Sequence, residues 1–429
     1  LSSLTDVKNI RRNLMSIYVI DEMMGRGKTS AMINYINQSG DDVRYLFIVP
    51  LLTEVERIRK GCASKDFVEP SQFGGKLNNI KQLLAEGRNI VSTHALFSRF
   101  DDETLQYIKD GNYTLVMDEI TTVIRDIRIT RHDYKLLTEH YIQSTESGQV
   151  VWIDDDYEGK LGDYKEQISG GHVQLYKGSG DDGGVLMTVM PREFFTSFKD
   201  VFLMTYMFRD QLMRCYFDLE ELQYERLYIN GSSQETFIIS DHPEPRPDLD
   251  YSPLIRVLDN DRLNRIGAPK TSLTKTWYIR NADSRCMDEL RRNTINFFRN
   301  YSKTPSSQNL WSTFCKDEEH DVDWPEILAG GGYKKGFLAC NSKGTNQYRN
   351  KTALAYLLNI YPNTRQKTYL YSKGIAFNDD FYALSEMLQW IWRSAIRDGK
   401  PVQLYVPSLR MRTLLKDWLA TKGQEVDVA

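Results

Sequence analysis

Met15-Ser-Ile-Tyr-Val-Ile20 and the following Met24-Gly-Arg-Gly-Lys-Thr-Ser30 decide the fold of this chain. The first stretch is a short apolar strand, and the second is a glycine-bearing turn that leads into an amphipathic segment at residues 30–37. A strand, a glycine-rich turn and a helix in this order are the setting of a phosphate-binding loop, whose backbone N–H groups cradle phosphate oxygens. The sequence therefore predicts a nucleotide site at this turn.

The turn supplies six expected nucleotide-binding residues, which are Gly25, Arg26, Gly27, Lys28, Thr29 and Ser30. Lys28 would reach the β- and γ-phosphates, and the Thr29 hydroxyl would bind Mg²⁺. The strict phosphate-loop pattern begins with glycine, whereas this chain has Glu22 at that position. The alternative is a glycine-rich turn that contains a lysine and binds no nucleotide. We expect ATP and Mg²⁺ as cofactors.

A second apolar strand, Thr114-Leu-Val-Met-Asp-Glu119, ends in two carboxylates. An aspartate at the end of a buried neighbouring strand can bind Mg²⁺ directly or through water, so Asp118 joins Thr29 as a predicted metal ligand. Glu119 would orient and deprotonate the attacking water. The alternative is a solvated strand end, and the catalytic interpretation depends on the phosphate loop being present.

Gln389, Arg393 and Arg397 recur at a spacing of four along a strongly patterned stretch, in which residues 383–396 are predicted to form a long helix. Residues four apart lie close to one face of a helix. An arginine on such a face can neutralise the charge that develops on a γ-phosphate, which makes these three residues catalytic candidates. The alternative is an amphipathic helix with solvated arginines.

Apolar strands alternate with helical segments through both halves of the chain, which is typical of α/β folds with parallel sheets covered on both faces. The predicted strands are residues 15–20, 45–49, 89–92, 113–117, 201–204, 309–314, 336–340 and 402–406. The predicted helices of the second half are residues 287–301, 383–396 and 410–419. Residues 122–185 interrupt the alternation and are interpreted as an insertion in the first half.

The amino-acid composition excludes several classes of protein. The 429 residues carry a formal net charge of −3, which excludes a histone-like basic protein but not a local basic groove. Five scattered cysteines without a CxxC pair argue against a disulfide scaffold or a cysteine zinc site. No run reaches the ~18 apolar residues of a membrane span, and no signal peptide is visible. We expect no membrane partner and a cytoplasmic location, in the host cell if a phage encodes the chain.

Together these motifs resemble those of superfamily 2 helicases of the DExD/H type. Met23-Met-Gly-Arg-Gly-Lys-Thr29 is similar to that family's first motif, and Asp118-Glu-Ile-Thr121 is similar to its second. The family's sixth motif, QxxGRxxR, matches Gln389, Arg393 and Arg397, with Trp392 in place of the glycine. Weaker matches are Pro50-Leu-Leu-Thr53, Ser92-Thr-His-Ala95, Thr205 and Asn341-Ser-Lys-Gly-Thr-Asn346. As a whole, the sequence pattern looks most like that of phage and large-virus helicases, which resemble the helicase part of herpesvirus origin-binding proteins.

The resemblance implies two RecA-like parallel-sheet domains in tandem, at residues 1–206 and 207–429, with the insertion in the first. ATP would bind in the cleft between them, and Arg393 and Arg397 would reach it from the second domain on closure. Phosphate contacts need hydroxyls, cations and amides, so the expected nucleic-acid-binding residues are Thr93, His94, Lys343, Thr345 and Asn346. DNA, single-stranded or forked, is the expected partner, with phage replication proteins as further candidates.

Three functions remain open from the sequence. The first is an ATP-driven helicase or translocase in phage DNA replication or recombination. The second is the packaging ATPase of a phage terminase, although such a motor should carry a C-terminal nuclease with clustered acidic residues, where this chain has Gln389, Arg393 and Arg397. The third is a nucleotide-gated nucleic-acid-binding module without unwinding activity, to which the departures from the helicase motifs at Glu22, Thr205–Met207 and Trp392 point.

Overall fold

The computed structural model describes residues 15–146, 148–176, 184–244, 250–317, 320–342 and 347–422. The chain divides into two compact units. The first takes in the described residues as far as Pro243 together with the later segment Asn363–Phe377. The second takes in Glu244–Pro362 and the described residues from Asn378 onward. No helix among the described residues combines the length and the apolar character needed to cross a lipid bilayer.

A seven-stranded sheet is the core of the first unit. The strands of this unit are β1 (Ser16–Asp21), β2 (Arg44–Val49), β3 (Ile90–Thr93), β4 (Tyr113–Asp118), β5 (Ile124–Asp126), β6 (Ile142–Ser144), β7 (Val150–Trp152), β8 (Val173–Tyr176), β9 (Val185–Val189), β10 (Asp200–Thr205), β11 (Glu225–Asn230) and β12 (Ile238–Ser240). The large sheet has the order β12-β11-β1-β10-β4-β2-β3, and only β12 runs antiparallel to its neighbour. All five strands predicted for the first half are therefore confirmed.

Helices cover this sheet because their apolar stripes face it. The helices of the first unit are Lys28–Gln38, Leu52–Gly61, Lys76–Ala85, His94–Phe97, Asp102–Asp110, Arg131–His140, Gly162–Ser169, Glu193–Thr196, Leu212–Leu219 and Thr364–Ser372. Met32 and Ile36 of one helix and Ile58 of another are fully buried in the same cluster as Phe47 of β2. The burial of strands and helix stripes together confirms the predicted α/β class with parallel sheets.

A small subdomain lies between β4 and β10, where the sequence predicts an insertion at residues 122–185. It contains the antiparallel sheet β5-β9-β8, the hairpin β6–β7 and its own apolar core, which includes Leu137, Val150 and Leu186. Strand β9 extends the subdomain to Val189. Because β4 and β10 are adjacent and parallel, the chain leaves the large sheet at the carboxyl end of β4 and re-enters it at the amino end of β10, at the opposite edge.

The boundary of the first unit differs from the predicted boundary after residue 206. Strand β11 pairs with β1, and β12 pairs with β11, so the large sheet continues to residue 240. The unit also recruits the later helix Thr364–Ser372, where the Gln366 amide donates to the carbonyl of Ile124 at 2.8 Å. The Tyr369 hydroxyl donates to Gln174 at 2.7 Å. A prediction that divides the chain at one boundary cannot include a later segment that packs against the insertion of the first unit.

The second unit is built on a four-stranded parallel sheet. Its strands are β13 (Ile255–Val257), β14 (Asn309–Ser312), β15 (Ala353–Tyr356) and β16 (Val402–Tyr405), in the order β13-β16-β15-β14. Its helices are Asp261–Asn264, Lys275–Arg280, Arg285–Asn296, Trp324–Leu328, Asp379–Ile391 and Leu409–Ala420. The helix Arg285–Asn296 continues into a π-helical turn at Phe297–Ser302.

Two predictions for the second half are wrong. Residues 336–340 form no strand, because pairing stops after an isolated bridge between Trp311 and Phe337, and the carbonyl of Leu338 accepts the indole N–H of Trp390 instead. The helix predicted at residues 383–396 ends at Ile391. After it the chain makes a short 3₁₀ turn at Ala395–Asp398, capped by the Ser394 side chain.

Candidate nucleotide site

The glycine-rich turn after β1 has the backbone that a phosphate loop needs. Gly25 and Gly27 have φ of 79° and 83°, in the left-handed region that glycine adopts without steric cost. The helix Lys28–Gln38 begins directly after Gly27, so its free N–H groups face the turn. A Cβ on Gly27 would lie 2.4 Å from the ring of Phe237, so this position requires glycine for space as well.

The Lys28 ammonium is folded back over the turn. It donates to the carbonyls of Glu22 at 2.5 Å and Met23 at 3.2 Å. Burial lowers the pKa of Lys28, and the carboxylate of Asp118 is the largest of the charges that oppose this shift. A desolvated ammonium held only by neutral carbonyls is available for exchange to an anionic phosphate, which would pair with it more strongly.

Thr29 and Asp118, the two predicted metal ligands, are in direct contact. The Thr29 hydroxyl donates to the Asp118 carboxylate at 3.0 Å. The sheet register explains the meeting, because Ile20 of β1 pairs with Met204 of β10 and Met204 pairs with Asp118 of β4. The carboxyl ends of parallel strands thus bring two distant sequence motifs to one edge.

Asp118 of the acidic pair is electrostatically perturbed, and Glu119 has an unusual backbone conformation. Burial and, after it, the neighbouring Glu119 raise the pKa of Asp118 to about 6, while Lys28 and the Thr29 hydrogen bond oppose the shift. Glu119 has φ 59°, an uncommon conformation for a residue with a side chain, and its N–H donates to the carbonyl of Met204 at 3.0 Å. Strained, perturbed acids of this kind are typical of functional sites.

The intervening strand β10 links the two motifs to the loop that follows it. Thr205, one of the weaker matches to the helicase motifs, is buried, and its hydroxyl donates to the side-chain oxygen of Gln211 at 2.9 Å. The Gln211 amide in turn donates to the carbonyl of Tyr206 at 2.8 Å. Asp21, at the end of β1, accepts a hydrogen bond from the Phe208 N–H at 2.9 Å.

Sequence reasoning missed three of these residues. Asp21 could have been found, since a carboxylate that ends the strand before a phosphate loop lies at the same sheet edge as Asp118. Gln211 and Phe237 carried no signal, because their roles depend on contacts across the fold. Phe237 is held over the turn by Asn34, whose amide donates to the carbonyls of Gln234 at 3.1 Å and Phe237 at 3.0 Å.

The predicted nucleic-acid residues fall in two groups. In the first unit, Thr93 ends β3, and the His94 Nε2 lies 2.9 Å from the carbonyl oxygen of Asp118. His94 therefore connects the end of β3 to the acidic strand. Lys343, Thr345 and Asn346 lie outside the described residues.

The third catalytic group lies in the second unit and departs from its predicted geometry. Gln389 is on the helix Asp379–Ile391, where its amide donates to the Ser385 hydroxyl at 3.2 Å. Arg393 and Arg397 lie beyond the end of that helix, so the predicted shared helical face is wrong. Arg393 is buried, with 6% exposure, whereas Arg397 is partly exposed in the 3₁₀ turn. Their approach to a nucleotide stays a prediction.

The donor set at the turn fits ATP and Mg²⁺. Mg²⁺ prefers oxygen ligands and keeps waters and phosphate oxygens, so one hydroxyl and one carboxylate are a sufficient protein contribution. Thr29 and Asp118 provide these two groups, and the positive-φ glycines provide the close approach for phosphate. Within the described ranges, no group of three or more His, Cys, Asp or Glu side chains could hold a metal ion by itself.

Comparisons with known proteins identify relatives. Residues 250–419 match the family model described as the YonV C-terminal Rossmann-like domain. Over 94% of its length the chain is 36% identical to the SPbeta prophage-derived uncharacterized protein YonV of Bacillus subtilis (strain 168), of which it covers 98%.

Solved structures, two of them of a helicase, also match this chain at low identity and low TM-score. The structure of S. tokodaii Xpd4 is 13% identical, with 99% of this chain and 97% of that chain covered and a TM-score of 0.45. The DUF1998 helicase MrfA is 11% identical, with 97% and 51% covered and a TM-score of 0.38. The same helicase bound to DNA and AMPPNP is 9% identical, with 95% and 48% covered and a TM-score of 0.35.

Proposed function

This chain belongs to the YonV family, and from that premise we propose that it is a phage-derived ATPase that moves along nucleic acid or unwinds it. The observation that carries the proposal is the contact between Thr29 and Asp118, with Lys28 folded over the same turn. A loop lysine, a loop hydroxyl and a strand-end aspartate are the parts that nucleoside triphosphate hydrolysis requires. We further propose that the chain is a superfamily 2 enzyme and that it acts in DNA replication or recombination in the host cytoplasm.

The chain's own residues divide the chemistry among them. Gly25, Gly27 and the N–H groups of the following helix hold the phosphates, and Lys28 leaves its carbonyl partners to pair with them. Thr29 and Asp118 would hold Mg²⁺, which when bound would supply positive charge to neutralise the charge that develops on the transferred phosphoryl group. Glu119 accepts a proton from the attacking water. Its position at the end of β4 favours this proton transfer.

Coupling to nucleic acid follows from the network around β10. Thr205 and Gln211 connect the strand between the two motifs to the next loop, so a change at the γ-phosphate alters backbone positions away from the nucleotide. A nucleotide can change the grip on nucleic acid only by favouring one conformation over another. Arg393 and Arg397 would add a nucleotide-dependent contact from the second unit.

A second candidate is a nucleotide-gated binding module without unwinding activity. It is favoured by the burial of Arg393 and by its position beyond the helix end, which removes one of two predicted arginine fingers from a shared face. Both functions require the nucleotide site. They differ in whether ATP hydrolysis drives movement along the nucleic acid or strand separation.

The test is ATP hydrolysis with and without single-stranded DNA and RNA, followed by strand displacement on forked, 3′-tailed and 5′-tailed duplexes. Lys28→Ala, prepared in parallel, controls for contaminating ATPases. Stimulated hydrolysis with displacement supports a helicase, and stimulated hydrolysis without displacement supports a translocase. Absence of hydrolysis in the wild type under every condition would leave the binding module.

A further inference from the structure

Acidic residues are missing from two long stretches of the second unit. Neither residues 290–316 nor residues 327–362 contain an aspartate or glutamate, in a chain that has 58 acidic residues in total. Each of these two stretches contains five lysines and arginines. A chain of net charge −3 therefore concentrates positive charge around β14 and β15.

The two stretches meet at a surface depression at the start of β14. It has a volume of about 290 Å³, and its polar lining consists of Arg299, Lys303, Thr304, Ser306, Asn309 and the backbone at Gly332. Arg299 lies in the π-helical turn Phe297–Ser302, and the chain reverses at Lys303, which has φ 54°. π-Helical turns are rare and occur frequently at functional sites.

A buried amide holds the two walls of the depression together. The Asn309 side chain, 2% exposed, donates to the carbonyl of Gly332 at 2.7 Å and accepts from the Thr304 hydroxyl at 2.7 Å. The Thr304 hydroxyl also lies 3.1 Å from the Ser302 hydroxyl. The site is therefore pre-arranged, with its hydroxyls fixed by neighbours.

The two cations of the depression have not been neutralised. Arg299 and Lys303 are exposed, and neither forms an ion pair with another described residue. Nearby cations differ in this respect, since Arg291 pairs with Asp288 at 2.7 Å and Lys275 pairs with Asp317 at 3.0 Å. Two unneutralised cations beside hydroxyls, with no acidic group in the lining, form an anion site.

We propose that this depression binds a backbone phosphate of a nucleic acid. An open site with exposed cations suits a polymer that passes across it. The floor residue Phe298 is only 2% exposed, so it offers no ring face to stack a free nucleotide base. The exposed Lys334 and Lys335 follow Gly332 closely and extend the positive surface. The site deepens the proposed function by adding a second-unit contact, and it shares no residue with the nucleotide site.

The test compares the full chain with the double variant Arg299→Ala/Lys303→Ala in fluorescence-anisotropy titrations of single-stranded oligonucleotides without ATP, over a range of salt concentrations. We expect weaker binding for every oligonucleotide sequence. The slope of log affinity against log salt should fall by about 0.7 for each phosphate that the variant no longer neutralises, up to about 1.4. The matched control is Lys109→Ala/Lys199→Ala, which removes two lysines of the first unit.

Three outcomes decide the proposal. Weaker binding with a reduced salt slope in the double variant but not in the control, restored in Arg299→Lys/Lys303→Arg, supports it. Equal affinity and slope in all variants overturns it. Loss of ATP binding by equilibrium dialysis with unchanged oligonucleotide binding also overturns it, in favour of a free-nucleotide site. Thermal unfolding checks that each variant folds, and because the titrations contain no ATP, a wild type without ATPase activity does not affect the readout.

Discussion

The hydroxyl of Thr29 donates a hydrogen bond to the carboxylate of Asp118 across 3.0 Å, although the two residues are 89 positions apart. The contact joins the phosphate loop to the acidic strand. It fixes both oxygens on the same side of the loop, where a cation could take the place of the shared proton.

Removal of the Thr29 hydroxyl should impair hydrolysis. We expect Thr29→Ala to reduce the ATPase rate by at least about 10- to 100-fold, since loss of even an outer-shell partner of a metal site has an effect of that size. Thr29→Ser keeps the hydroxyl and should retain most of the rate. Steady-state phosphate release over a Mg²⁺ titration checks this, and equal rates in Thr29→Ala and the wild type would contradict the assigned role.

Asp118→Asn should stabilise the metal-free protein at alkaline pH. Burial and Glu119 raise the pKa of Asp118 to about 6, above its ordinary value of 3.8. The folded state therefore holds the proton more tightly than the unfolded chain. This contribution is fully present below pH 3.8 and is lost as the pH rises through about 6.

The variant removes that loss while keeping an acceptor for Thr29. We expect its free energy of unfolding to exceed that of the wild type by about 3 kcal/mol at about pH 8, and the gap to close below about pH 4. Urea unfolding in EDTA measures both, and the same change at the exposed Asp42 serves as a control. A gap that is independent of pH would show that ionisation of Asp118 is not responsible.

Gly27→Ala should disable the phosphate loop through two separable effects. The left-handed backbone costs about 1–2 kcal/mol for a residue with a Cβ, and the new methyl group would lie 2.4 Å from Phe237. Gly74→Ala is a matched control, since Gly74 has φ 72° and a Cβ there would meet no atom within 4 Å. Chemical unfolding and ATP binding should show a larger loss at Gly27, partly recovered in Gly27→Ala/Phe237→Ala.

The two arginines of the second unit should behave differently. Arg397→Ala should reduce nucleic-acid-stimulated hydrolysis by about 10³-fold or more, the range for an arginine finger, while ATP binding stays nearly intact. Arg393 is buried, so Arg393→Ala should lower the free energy of unfolding by about 1–3 kcal/mol. Equilibrium ATP binding, stimulated turnover and thermal unfolding of both variants separate these effects. Parallel loss of binding and turnover in Arg397→Ala would indicate a structural residue.

Much of the first unit is predictable because buried parallel strands leave a local signal. The runs around Ile20, Phe47, Val91 and Val116 are apolar and end at turns, which is enough to mark them. The second unit gives weaker signals. Strand β15 is also fully buried, but it follows a polar, lysine-bearing segment that hides its start, and the apolar residues near Leu338 have their pairing interrupted by Trp390.

The residues of the candidate site also differ in how well the sequence predicts them. Lys28, Thr29 and Asp118 belong to local motifs whose chemistry dictates their spacing, so the sequence identifies them without the contact that brings two of them together. The spacing of Gln389, Arg393 and Arg397 is misleading, because helical periodicity cannot reveal that a cap at Ser394 and the bond from the Ala395 N–H to the Lys351 carbonyl redirect the chain. Contacts between distant segments decide such cases.

The return of Asn363–Phe377 to the first unit has a consequence for how the protein is made. During synthesis the large sheet can close once β12 has left the ribosome, but the surface of the insertion at Ile124 and Gln174 waits for a helix encoded much further along the message. Domains generally fold as units from the N-terminus, yet here the N-terminal unit is completed only after β13, β14 and β15 of its neighbour have emerged. Part of the first unit is thus synthesised between two segments of the second, so the first unit cannot be completed before most of the second has been made.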